Sequence, residues 1–485
     1  MIMKASARVL KFLIKRHPPR HVLPTAHEEQ WLSSVNGSLN GEHITSVSDA
    51  LSKLDLGITS KATGLSFYVD LHAGAFPFIF DALSRVAAMT GETIYLLNAD
   101  GEWRSIVGSR FKAWVRKPAR SGYVEIAVTD QDGRLTSRHS VNFWKLNGNV
   151  MEASAPHSPV KKILASSVPA AQFETPHSDA EIEPVDVVYT WVNSDDPDWQ
   201  NLILPYRDII AFDQDRFTQI DELRYSIRSL FTFAPWVRKV FIFSNCAPPS
   251  WFTNSDRVQW VMHDEVILED YLPLFNSHSI ETFLHKIPGL LERYVYFNDD
   301  VFLSAPVMPE DFFTPYVQSV SRMEPNGIIH YLQGLVETDA AEEWQHAAVN
   351  SAMLLLKYSG KLPTKLHSHT PHAYLKSAYQ EMEETFPEQM QVTRSARLRQ
   401  KSDCSFTSFA YHHFARSKGR SIHVDEDAMV VRATNYKRFL EGKIYARQRF
   451  FCINDGGGSA EDAAFKAFKQ SFLTSHYRFK SPAEK

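Results

Sequence analysis

The stretch YFNDDVFLS, residues 296–304, places two adjacent carboxylates, Asp299 and Asp300, at the end of an apolar segment. An apolar run of this length is typical of a buried β-strand. Three further strand-like segments also become polar where they end: VDVVYTWV (185–192) before NSDD, VRKVFIFS (237–244) before Asn, and VQWVMHDEVI (258–267), interrupted by HDE. One polar strand end is ordinary, because Asp and Asn favour turns. Four of them indicate a shared site.

Helical segments separate these strands. DELRYSIRSLFTF (221–233) places Leu223, Ile227 and Leu230 on one face, and SHSIETFLHKI (277–287) precedes the fourth strand. Strands that alternate with helices predict an α/β fold, with a mostly parallel sheet covered by helices on both faces. Ligands of such sheets bind outside the carboxyl ends of the strands. We therefore expect the four polar strand ends to meet at one site.

The N-terminal part of the chain has a different pattern. Residues 25–150 predict a smaller α+β accessory domain, with a β-hairpin turning at Asp132 and Gly133. Residues 151–184 are rich in Pro, Ser and Ala and predict a linker. The main domain is expected over 185–460, followed by a helical tail over 461–485.

Residues 1–24 predict a basic amphipathic helix, because Lys4, Arg8, Lys11 and Lys15 recur at helical spacing. A helix of this kind can lie on an anionic membrane surface. The alternative is a terminal helix that docks on its own domain.

The composition restricts the classes of protein. The chain has 485 residues, a net charge of −4 and three cysteines without CxxC spacing. This charge gives no general basic surface for nucleic acid, and the cysteine usage favours a reducing compartment. No apolar run approaches the roughly 20 residues that cross a bilayer. We therefore expect a cytoplasmic protein, with peripheral association at the inner face of the membrane through the basic helix.

The carboxylates at the strand ends suit a divalent cation. Adjacent aspartates are hard oxygen ligands for Mg²⁺, and also for Mn²⁺, bound together with substrate phosphates. Three classes of protein use such a site: enzymes that transfer a sugar, enzymes that transfer a sugar phosphate, and carbohydrate-binding proteins with a structural cation.

Histidines and arginines in the C-terminal half add further candidates. LHSHTPHAY (366–374) brings His367, His369 and His372 close together in sequence. This spacing is weak evidence for zinc, because no cysteine or carboxylate pattern accompanies it, and a histidine is also suited to act as a general base. RSARLRQKSD (394–403) is either a solvated helical face or an arginine clamp for phosphate oxygens.

Together these segments resemble the Stealth family of hexosamine-1-phosphate transferases, most closely its bacterial capsule-polymerase branch. VDVVYTWVNSDDPDW resembles the first conserved region of the family, and the segment from DELRYSIRSL to YFNDDVFL resembles the second. LHSHTPH resembles the third region, and RQKSDCSFTSFAYHHFA with FCINDG resembles the last. The resemblance identifies 185–460 as a Stealth-type catalytic domain.

The resemblance implies a reaction. A hydroxyl of a growing polysaccharide attacks the sugar-bound phosphorus of a UDP-N-acetylhexosamine, UDP-GlcNAc or UDP-ManNAc, and UMP is released. Repeated transfer builds a phosphodiester-linked capsular polymer for an export machinery. The alternative is a metal-dependent UDP-sugar glycosyltransferase that releases UDP.

The resemblance also assigns roles by motif position. His369 is implied as the base, Arg399 as the group that stabilises phosphoryl charge, and Asp300 and Asp403 as further catalytic residues. Asp299, Asp300 and Asp455 are the implied Mg²⁺ ligands. The expected substrate-binding residues are Trp191, Asn193, Asp195, Arg224, Asn245, Asn276, Ser277, Glu281 and His285. Arg228 is a further candidate to offset the negative charge of the donor.

Overall fold

The computed structural model describes residues 45–56, 58, 61–63, 66–73, 76–97, 102–106, 122–153, 155, 158, 160–168, 183–209, 220–314, 316–426, 428–454 and 462–485. The predicted basic helix (1–24) and Asp455 lie outside these residues. The chain divides into two compact units, Met1–Glu181 and Ile182–Lys485. Within the described part of the chain, no helix is long and apolar enough to cross a membrane.

The N-terminal unit contains an eight-stranded sheet with two described helices. The helices are α1 (Val47–Leu54) and α2 (Phe76–Thr90). The strands are β1 (Lys61–Thr63), β2 (Ser66–His72), β3 (Thr93–Leu97), β4 (Trp103–Ser105), β5 (Tyr123–Thr129), β6 (Leu135–Asn147), β7 (Val150–Ala153) and β8 (Lys162–Leu164). The order is β1-β2-β6-β5-β3-β4, with β7 on β6 and β8 on β7.

The sheet of the N-terminal unit includes the predicted β-hairpin and part of the predicted linker. The hairpin is confirmed: β5 and β6 pair antiparallel, and Gly133 in their connection has φ 78°, which glycine adopts readily. The linker expected over 151–184 is wrong in its first part, because β7 and β8 fall there and pair with the sheet. The Pro, Ser and Ala content of that segment did not reveal the alternating apolar residues Met151 and Ile163, which are opposite each other in the register.

The C-terminal unit is an α/β structure with mixed sheets, which confirms the predicted class. Its first part contains β9 (Asp186–Trp191), α3 (Pro197–Ile203), α4 (Glu222–Phe233), β10 (Val240–Ser244), β11 (Val258–Met262), α5 (Ser277–Glu281), β12 (Arg293–Asn298), β13 (Val301–Leu303) and β14 (Ser319–Gly327). Its middle part contains α6 (Ile329–Glu337), α7 (Glu343–Ser359), β15 (Lys365–His367), β16 (His372–Leu375), α8 (Lys376–Thr385) and α9 (Pro387–Ser395). Its last part contains α10 (Tyr411–Ser417), β17 (Ser421–Asp425), β18 (Met429–Val431), α11 (Tyr436–Glu441), β19 (Phe450–Ile453) and α12 (Ala463–His476).

The central sheet of this unit has the order β11-β10-β9-β12-β16. The strands β11, β10, β9 and β12 are parallel to one another, and β16 is antiparallel to β12. Ser244 is therefore opposite both Trp191 and Met262, and Asn298 is opposite Thr190. The four strand ends identified from the sequence thus lie side by side at one edge, as expected. Two three-stranded sheets, β13-β19-β18 and β15-β14-β17, also lie in the described part of this unit.

The helix predicted over 277–287 is shorter in the structure. An α-helix covers Ser277–Glu281, and a separate 3-10 turn covers Leu284–Lys286. The hydroxyl of Thr282, the residue that ends the helix, donates to the carbonyl oxygen of Ser279 and receives a hydrogen bond from Arg394. This arrangement fixes the break between the two turns.

The C-terminal segment packs against α4. Lys469 on α12 donates to Glu222 over 2.8 Å, and both side chains are buried. Glu484 is fully buried and accepts hydrogen bonds from Arg224 at 2.7 Å and from Arg228 at 2.6 Å. These ion pairs join residues that are more than 240 positions apart.

Glu484→Gln is expected to lower the free energy of unfolding by about 3 kcal/mol, because it leaves the largely buried Arg228 without its counter-charge. Urea denaturation of the purified protein measures the change. Glu384→Gln, an exposed position on α8, is the matched control and is expected to change stability by less than about 0.5 kcal/mol. Equal stabilities for the two variants would contradict the structural role of Glu484.

Candidate active site

A cavity of about 300 Å³ opens at the carboxyl edge of the central sheet. Its lining includes seven of the residues predicted from the sequence: Trp191, Asn245, Ser277, Glu281, Asp299, Asp300 and Arg399. The strand ends of β9, β10 and β12 contribute to one wall, and the loop that carries Arg399 contributes to another. The parallel arrangement thus brings acids and an arginine from distant parts of the chain into one cavity.

Asp299 and Asp300 form the turn between β12 and β13. Cys452 on β19 donates its thiol hydrogen to Asp300 Oδ2 over 3.1 Å, and Asn454 Nδ2 approaches the same oxygen at 3.4 Å. Burial and the charge of Asp300 raise the pKa of Cys452 well above its usual value. The thiol therefore stays protonated and acts as a hydrogen-bond donor to the acid pair.

The donor set around this turn fits a hard divalent cation. The two carboxylates line the cavity together with the side-chain amides of Asn298 and Asn454, and carboxylate and amide oxygens are ligands that Mg²⁺ and Mn²⁺ accept. Asp455, the third predicted ligand, directly follows Asn454 but lies outside the described residues.

Arg399 reaches the cavity from a loop that is anchored to the start of α5. Its Nη2 donates to Ser277 Oγ over 2.8 Å. The side-chain amide of Asn276, the residue before Ser277, donates to Asp403 Oδ2 over 2.8 Å and to the carbonyl oxygens of Ala396 and Leu398. Ser277 therefore holds the guanidinium of Arg399, and Asn276 holds the loop that carries it.

Asp403 is fully buried and does not line the cavity. Its Oδ2 accepts hydrogen bonds from Asn276 Nδ2 and, at 3.0 Å, from the backbone N–H of Gln400, and burial raises its pKa. The structure thus makes Asp403 and Asn276 positioning residues for the Arg399 loop, where the sequence suggested a catalytic and a substrate-binding residue.

The neighbouring arginines have other partners. Arg394 is paired with Glu383 at 2.6 Å, and Arg397 donates to the carbonyl oxygens of Asp270 and Leu272. Of the arginines in the segment 394–399, Arg399 is the one that lines the cavity.

Glu281 is a buried carboxyl group in the wall of the cavity. Its oxygens accept hydrogen bonds of 3.3 Å from the hydroxyls of Tyr296 and Ser408. Burial raises the pKa of Glu281 to about 7, although the charge of Arg399 and both hydrogen bonds act in the opposite direction. Tyr296 also contacts Thr190 and Asn298, so Glu281 belongs to a network that reaches the strand ends.

The raised pKa of Glu281 predicts a specific pH dependence of stability. Folding favours the protonated carboxyl group, so its contribution is fully present below pH 4.5 and is lost as the pH rises through about 7. Between pH 5 and pH 8, the free energy of unfolding of the wild type should fall by up to about 3 kcal/mol relative to that of Glu281→Gln.

Urea denaturation in EDTA at several pH values measures this difference. Glu337→Gln, at an exposed position on α6, is the control and should follow the wild type at every pH. A constant difference between wild type and Glu281→Gln across the range would contradict the shifted pKa.

Other predicted residues lie outside the lining of this cavity. Asn193 and Asp195 belong to the turn after β9, where Asn193 Oδ1 accepts the backbone N–H of Asp195 at 3.0 Å. Arg224 and Arg228 are engaged by Glu484 and are therefore corrected from donor-binding residues to structural ones. His285 is buried, bonded to Glu383 at 2.8 Å, and is likewise structural.

Several lining residues were not assigned a role from the sequence. His263 follows β11, where it packs on Phe243, and burial lowers its pKa to about 3. The sequence signal that could have identified His263 is its position in the polar HDE segment at the end of a predicted strand. Glu222 lines the cavity and forms an ion pair with Lys469. No local sequence pattern predicts a pair of residues so distant in sequence.

His367, His369 and His372, which are close in sequence, do not form one group in the structure, because His412 joins two of them and His369 lies apart. His367, His372 and His412 are buried, and one ligand atom from each lies within 4.8 Å of the others, as a metal site requires. However, His372 Nδ1 bonds His412 Nε2 at 3.0 Å, His412 Nδ1 bonds Ser321 at 2.8 Å, and His367 Nε2 accepts the backbone N–H of Arg322. Together with the bond between His367 Nδ1 and the carbonyl oxygen of Ser368, these bonds occupy both ring nitrogens of His367 and His412 and one of His372. The group therefore fits a network of neutral rings better than a zinc site. Burial accordingly lowers the pKa of His372 to about 3.

His369 is exposed and lines a second cavity of about 200 Å³. The second cavity contains none of the residues of the first. His369 thus lines a different cavity from the acid pair and Arg399, whereas the motif positions predict one shared site.

Parts of this chain match the conserved regions of a known protein family. Conserved regions 1, 2 and 3 of the Stealth proteins match residues 183–211, 216–320 and 368–416. The exopolysaccharide phosphotransferase CpsY of Mycobacterium leprae is 30% identical over 385 residues, which cover 73% of this chain and 69% of CpsY. The chain belongs to the Stealth family. The match to region 3 includes residues 399–415, so their assignment to the last region was wrong.

Two further relatives are similar over a shorter part. The capsular polysaccharide phosphotransferase SacB of Neisseria meningitidis serogroup A is 34% identical, covering 62% of this chain and 57% of SacB. The exopolysaccharide phosphotransferase SCO6021 of Streptomyces coelicolor is 36% identical, with the same coverage of 62% and 57%. The chain thus spans little more than half the length of these relatives.

Solved structures show only a distant likeness. The galactosyltransferase LgtC, in complex with donor and acceptor sugar analogs, has 8% identity and a TM-score of 0.30, covering 62% of this chain and 98% of LgtC. A TM-score of this size supports no conclusion about the fold or the activity of this chain.

Proposed function

We propose that this protein is a capsular or exopolysaccharide phosphotransferase. It transfers N-acetylhexosamine 1-phosphate from a UDP-N-acetylhexosamine to a hydroxyl of a growing polysaccharide and releases UMP. The observation that carries the proposal is that Asp299, Asp300 and Arg399 line one cavity at the carboxyl edge of the sheet. Three relatives named as phosphotransferases support the same activity.

The residues of the cavity are proposed to have different roles in phosphoryl transfer. Asp299 and Asp300, with Asp455 next to Asn454, would hold Mg²⁺ or Mn²⁺, which supplies charge neutralisation on the pyrophosphate when bound. Arg399, oriented by Ser277, stabilises negative charge on the transferred phosphoryl group. Phosphoryl transfer depends mainly on positioning and charge stabilisation, which such a set of residues can provide.

The bond changes are those of a displacement at phosphorus. The acceptor oxygen forms a bond to the sugar-bound phosphorus, and the bond from that phosphorus to the oxygen of UMP breaks. The proton of the acceptor hydroxyl passes to a general base. His369 is proposed for this role from its motif position, and the role requires His369 and the acid pair to come closer together with donor and acceptor bound than the two separate cavities place them. Trp191, Asn193, Asp195 and Asn245, at the ends of β9 and β10, are proposed to bind the nucleotide.

The released nucleotide tests the proposal. The purified protein is incubated with Mg²⁺, phosphodiester-linked acceptor chains, and UDP-GlcNAc or UDP-ManNAc separately. Release of UMP supports phosphoryl transfer, and the productive donor identifies the polymer. Release of UDP would instead show that the phosphate stays on the nucleotide and that the protein is a glycosyltransferase.

His369→Ala is expected to lower the rate of UMP release about 100-fold, because a positioned general base contributes at least this factor. The rate is measured at saturating donor and acceptor. His330→Ala, an exposed histidine on α6 that contacts Gln333, is the control and should retain the wild-type rate. A rate close to wild type for His369→Ala would remove His369 from the mechanism.

We also propose that the protein works in the cytoplasm, at the inner face of the membrane. A cytoplasmic protein would meet UDP-sugars, and the basic segment 1–24 would bring it to the inner face of the membrane, where export machinery takes the polymer. Deletion of residues 1–20 should lower the fraction of protein that sediments with anionic vesicles. An unchanged fraction would contradict this attachment.

A further inference from the structure

His263 lines the cavity that contains the acid pair, Asp299 and Asp300, but it has no role in the chemistry proposed above. Its side chain is only 4% exposed, and its Nδ1 is fully buried without a hydrogen-bond partner. Its Nε2 also has no partner among the described residues, but this atom is not fully buried and is therefore accessible from the cavity. Buried polar side chains in proteins are normally hydrogen-bonded. A buried ring that lacks such partners and lines a cavity indicates that a ligand supplies one.

His263 lies at the far end of the row of strand ends from the acid pair. Met262, the residue before His263, is in register with Ser244 on β10, and Ser244 is in register with the end of β9. The register of β9 with β12 places the acid pair in the same row. Three steps between neighbouring strands, each about 4.8 Å, therefore separate the backbone of His263 from that of the acid pair, a distance of about 14 Å.

A donor nucleotide bound through its pyrophosphate at the acid pair would extend along this row. The ends of β9 and β10, which carry the proposed nucleotide-binding residues Trp191 and Asn245, lie between the acid pair and His263. The hexosamine of the donor is bonded directly to the pyrophosphate and stays close to it, whereas the ribose separates the base from the pyrophosphate. The base is therefore the part of the donor that reaches His263.

The surroundings of His263 suit a flat aromatic base. The ring centroids of His263 and Phe243 are 4.5 Å apart, and the cavity is also lined by the apolar side chains of Trp199, Leu274 and Phe275. The rings of Trp199 and Phe275 meet edge to face with centroids 5.8 Å apart. Aromatic side chains bind bases of any sequence by stacking, so the choice between bases depends on a polar contact such as the one that His263 offers.

The protonation of the ring decides which contact it can make. Burial lowers the pKa of His263 to about 3, so the imidazole is neutral and carries one N–H. A proton on Nδ1 would be a buried donor without an acceptor, which is costly. The proton is therefore assigned to Nε2, where it can be donated to an acceptor in the cavity.

We propose that His263 is a specificity-determining residue of the donor site, whose Nε2–H donates a hydrogen bond to the O4 carbonyl oxygen of uracil. Cytosine carries an amino group in place of this oxygen. Two donors would then face each other, and a cytidine nucleotide would bind more weakly than a uridine nucleotide. This inference rests on the proposed function, because that function places a uridine nucleotide in this cavity.

Titration calorimetry with UDP and CDP, each in the presence of Mg²⁺, tests the inference. The wild type should bind UDP at least about tenfold more tightly than CDP. His263→Phe keeps an aromatic ring but removes the donor, so it should bind UDP about tenfold more weakly than the wild type and should no longer distinguish UDP from CDP. His263→Ala, which adds no volume to the packed site, should lose the preference in the same way.

Two further variants separate base recognition from a change in packing. His263→Gln retains a side-chain N–H donor and should recover part of the preference for UDP. His330→Phe makes the same change as His263→Phe at an exposed position on α6, and it should bind both nucleotides like the wild type. Thermal unfolding shows whether each variant is folded.

The ratio of the two affinities decides the outcome. Equal binding of UDP and CDP by the wild type, a wild-type ratio in His263→Ala, or an equal loss of both affinities in the variants would overturn the inference. A contact with the acetamido group of the donor would instead change the ratio of UDP-GlcNAc to UDP-glucose affinities and leave the UDP to CDP ratio unchanged, which would also overturn it.

The inference and the proposed function can fail separately. Release of UDP during turnover would refute phosphoryl transfer, whereas a UDP preference that depends on His263 would still support the recognition of uracil. Release of UMP together with equal affinities for UDP and CDP would refute the role of His263 and leave the proposed function intact.

Discussion

Arg399→Ala is expected to lower the rate of UMP release about 1000-fold, the effect of removing an arginine that stabilises a transferring phosphoryl group. Arg399 lines the cavity with Asp299 and Asp300, and its hydrogen bond to Ser277 Oγ aims the guanidinium. The phosphoryl oxygens interact with the Arg399 guanidinium mainly in the transition state. Loss of Arg399 should therefore lower kcat by a larger factor than it raises the donor KM.

The fold should survive this change. The loop 396–403 is held by Asn276 and Asp403, and these contacts do not involve the guanidinium of Arg399. The rate is measured by the release of UMP, with Arg438→Ala on the exposed side of α11 as the control. Arg399→Lys restores the charge without the planar fork and should recover only part of the rate. Full activity of the alanine variant would exclude Arg399 from phosphoryl transfer.

Asp300→Asn is expected to abolish metal-dependent turnover. Asparagine keeps the shape of the side chain but removes the negative charge that a divalent cation requires, and the loss of metal-assisted charge stabilisation corresponds to about 1000-fold in rate. The hydrogen bonds that Asp300 Oδ2 accepts from Cys452 and Asn454 can be kept by the amide oxygen of asparagine. The thermal unfolding midpoint should therefore change little.

Direct metal binding separates this effect from a general loss of activity. Titration with Mn²⁺, followed by electron paramagnetic resonance, should show binding to the wild type and at least tenfold weaker binding to Asp300→Asn. Asp339→Asn removes a carboxylate that is 82% exposed and paired with Lys401 at the surface, and it should bind Mn²⁺ like the wild type. Equal Mn²⁺ affinities of Asp300→Asn and wild type would contradict the role of Asp300 as a ligand.

The edge of the central sheet could be predicted from the sequence because its signals are local. Each strand is a short apolar run, and parallel pairing then brings the carboxyl ends together. Trp191, Asn245 and Asp299 could therefore be placed near one another without knowledge of the register. Ser277, Glu281 and Arg399 were identified by their positions in the family motifs, and they line the same cavity.

The errors concern residues whose partners are far away in sequence. Asp403 is four positions from Arg399, but its carboxylate turns inward to Asn276, 127 positions away. Arg224 was expected to bind the donor, but Glu484, 260 positions away, binds it instead. Such ion pairs depend on how the last segment of the chain packs, and no local pattern contains this information.

The same distances have a consequence for the order of folding. The cavity depends on contacts between Thr190 and Tyr296, between Ser277 and Arg399, and between Asp300 and Cys452, which are 106, 122 and 152 positions apart. Closing loops of this length costs entropy before the contacts form, and folding of such topologies is slow. We therefore expect the cavity to form late in the folding of the C-terminal unit. A fragment of residues 183–320 contains every parallel strand of the central sheet but lacks Arg399 and Cys452, and it should neither bind Mn²⁺ tightly nor acquire protection from hydrogen exchange at the strand ends.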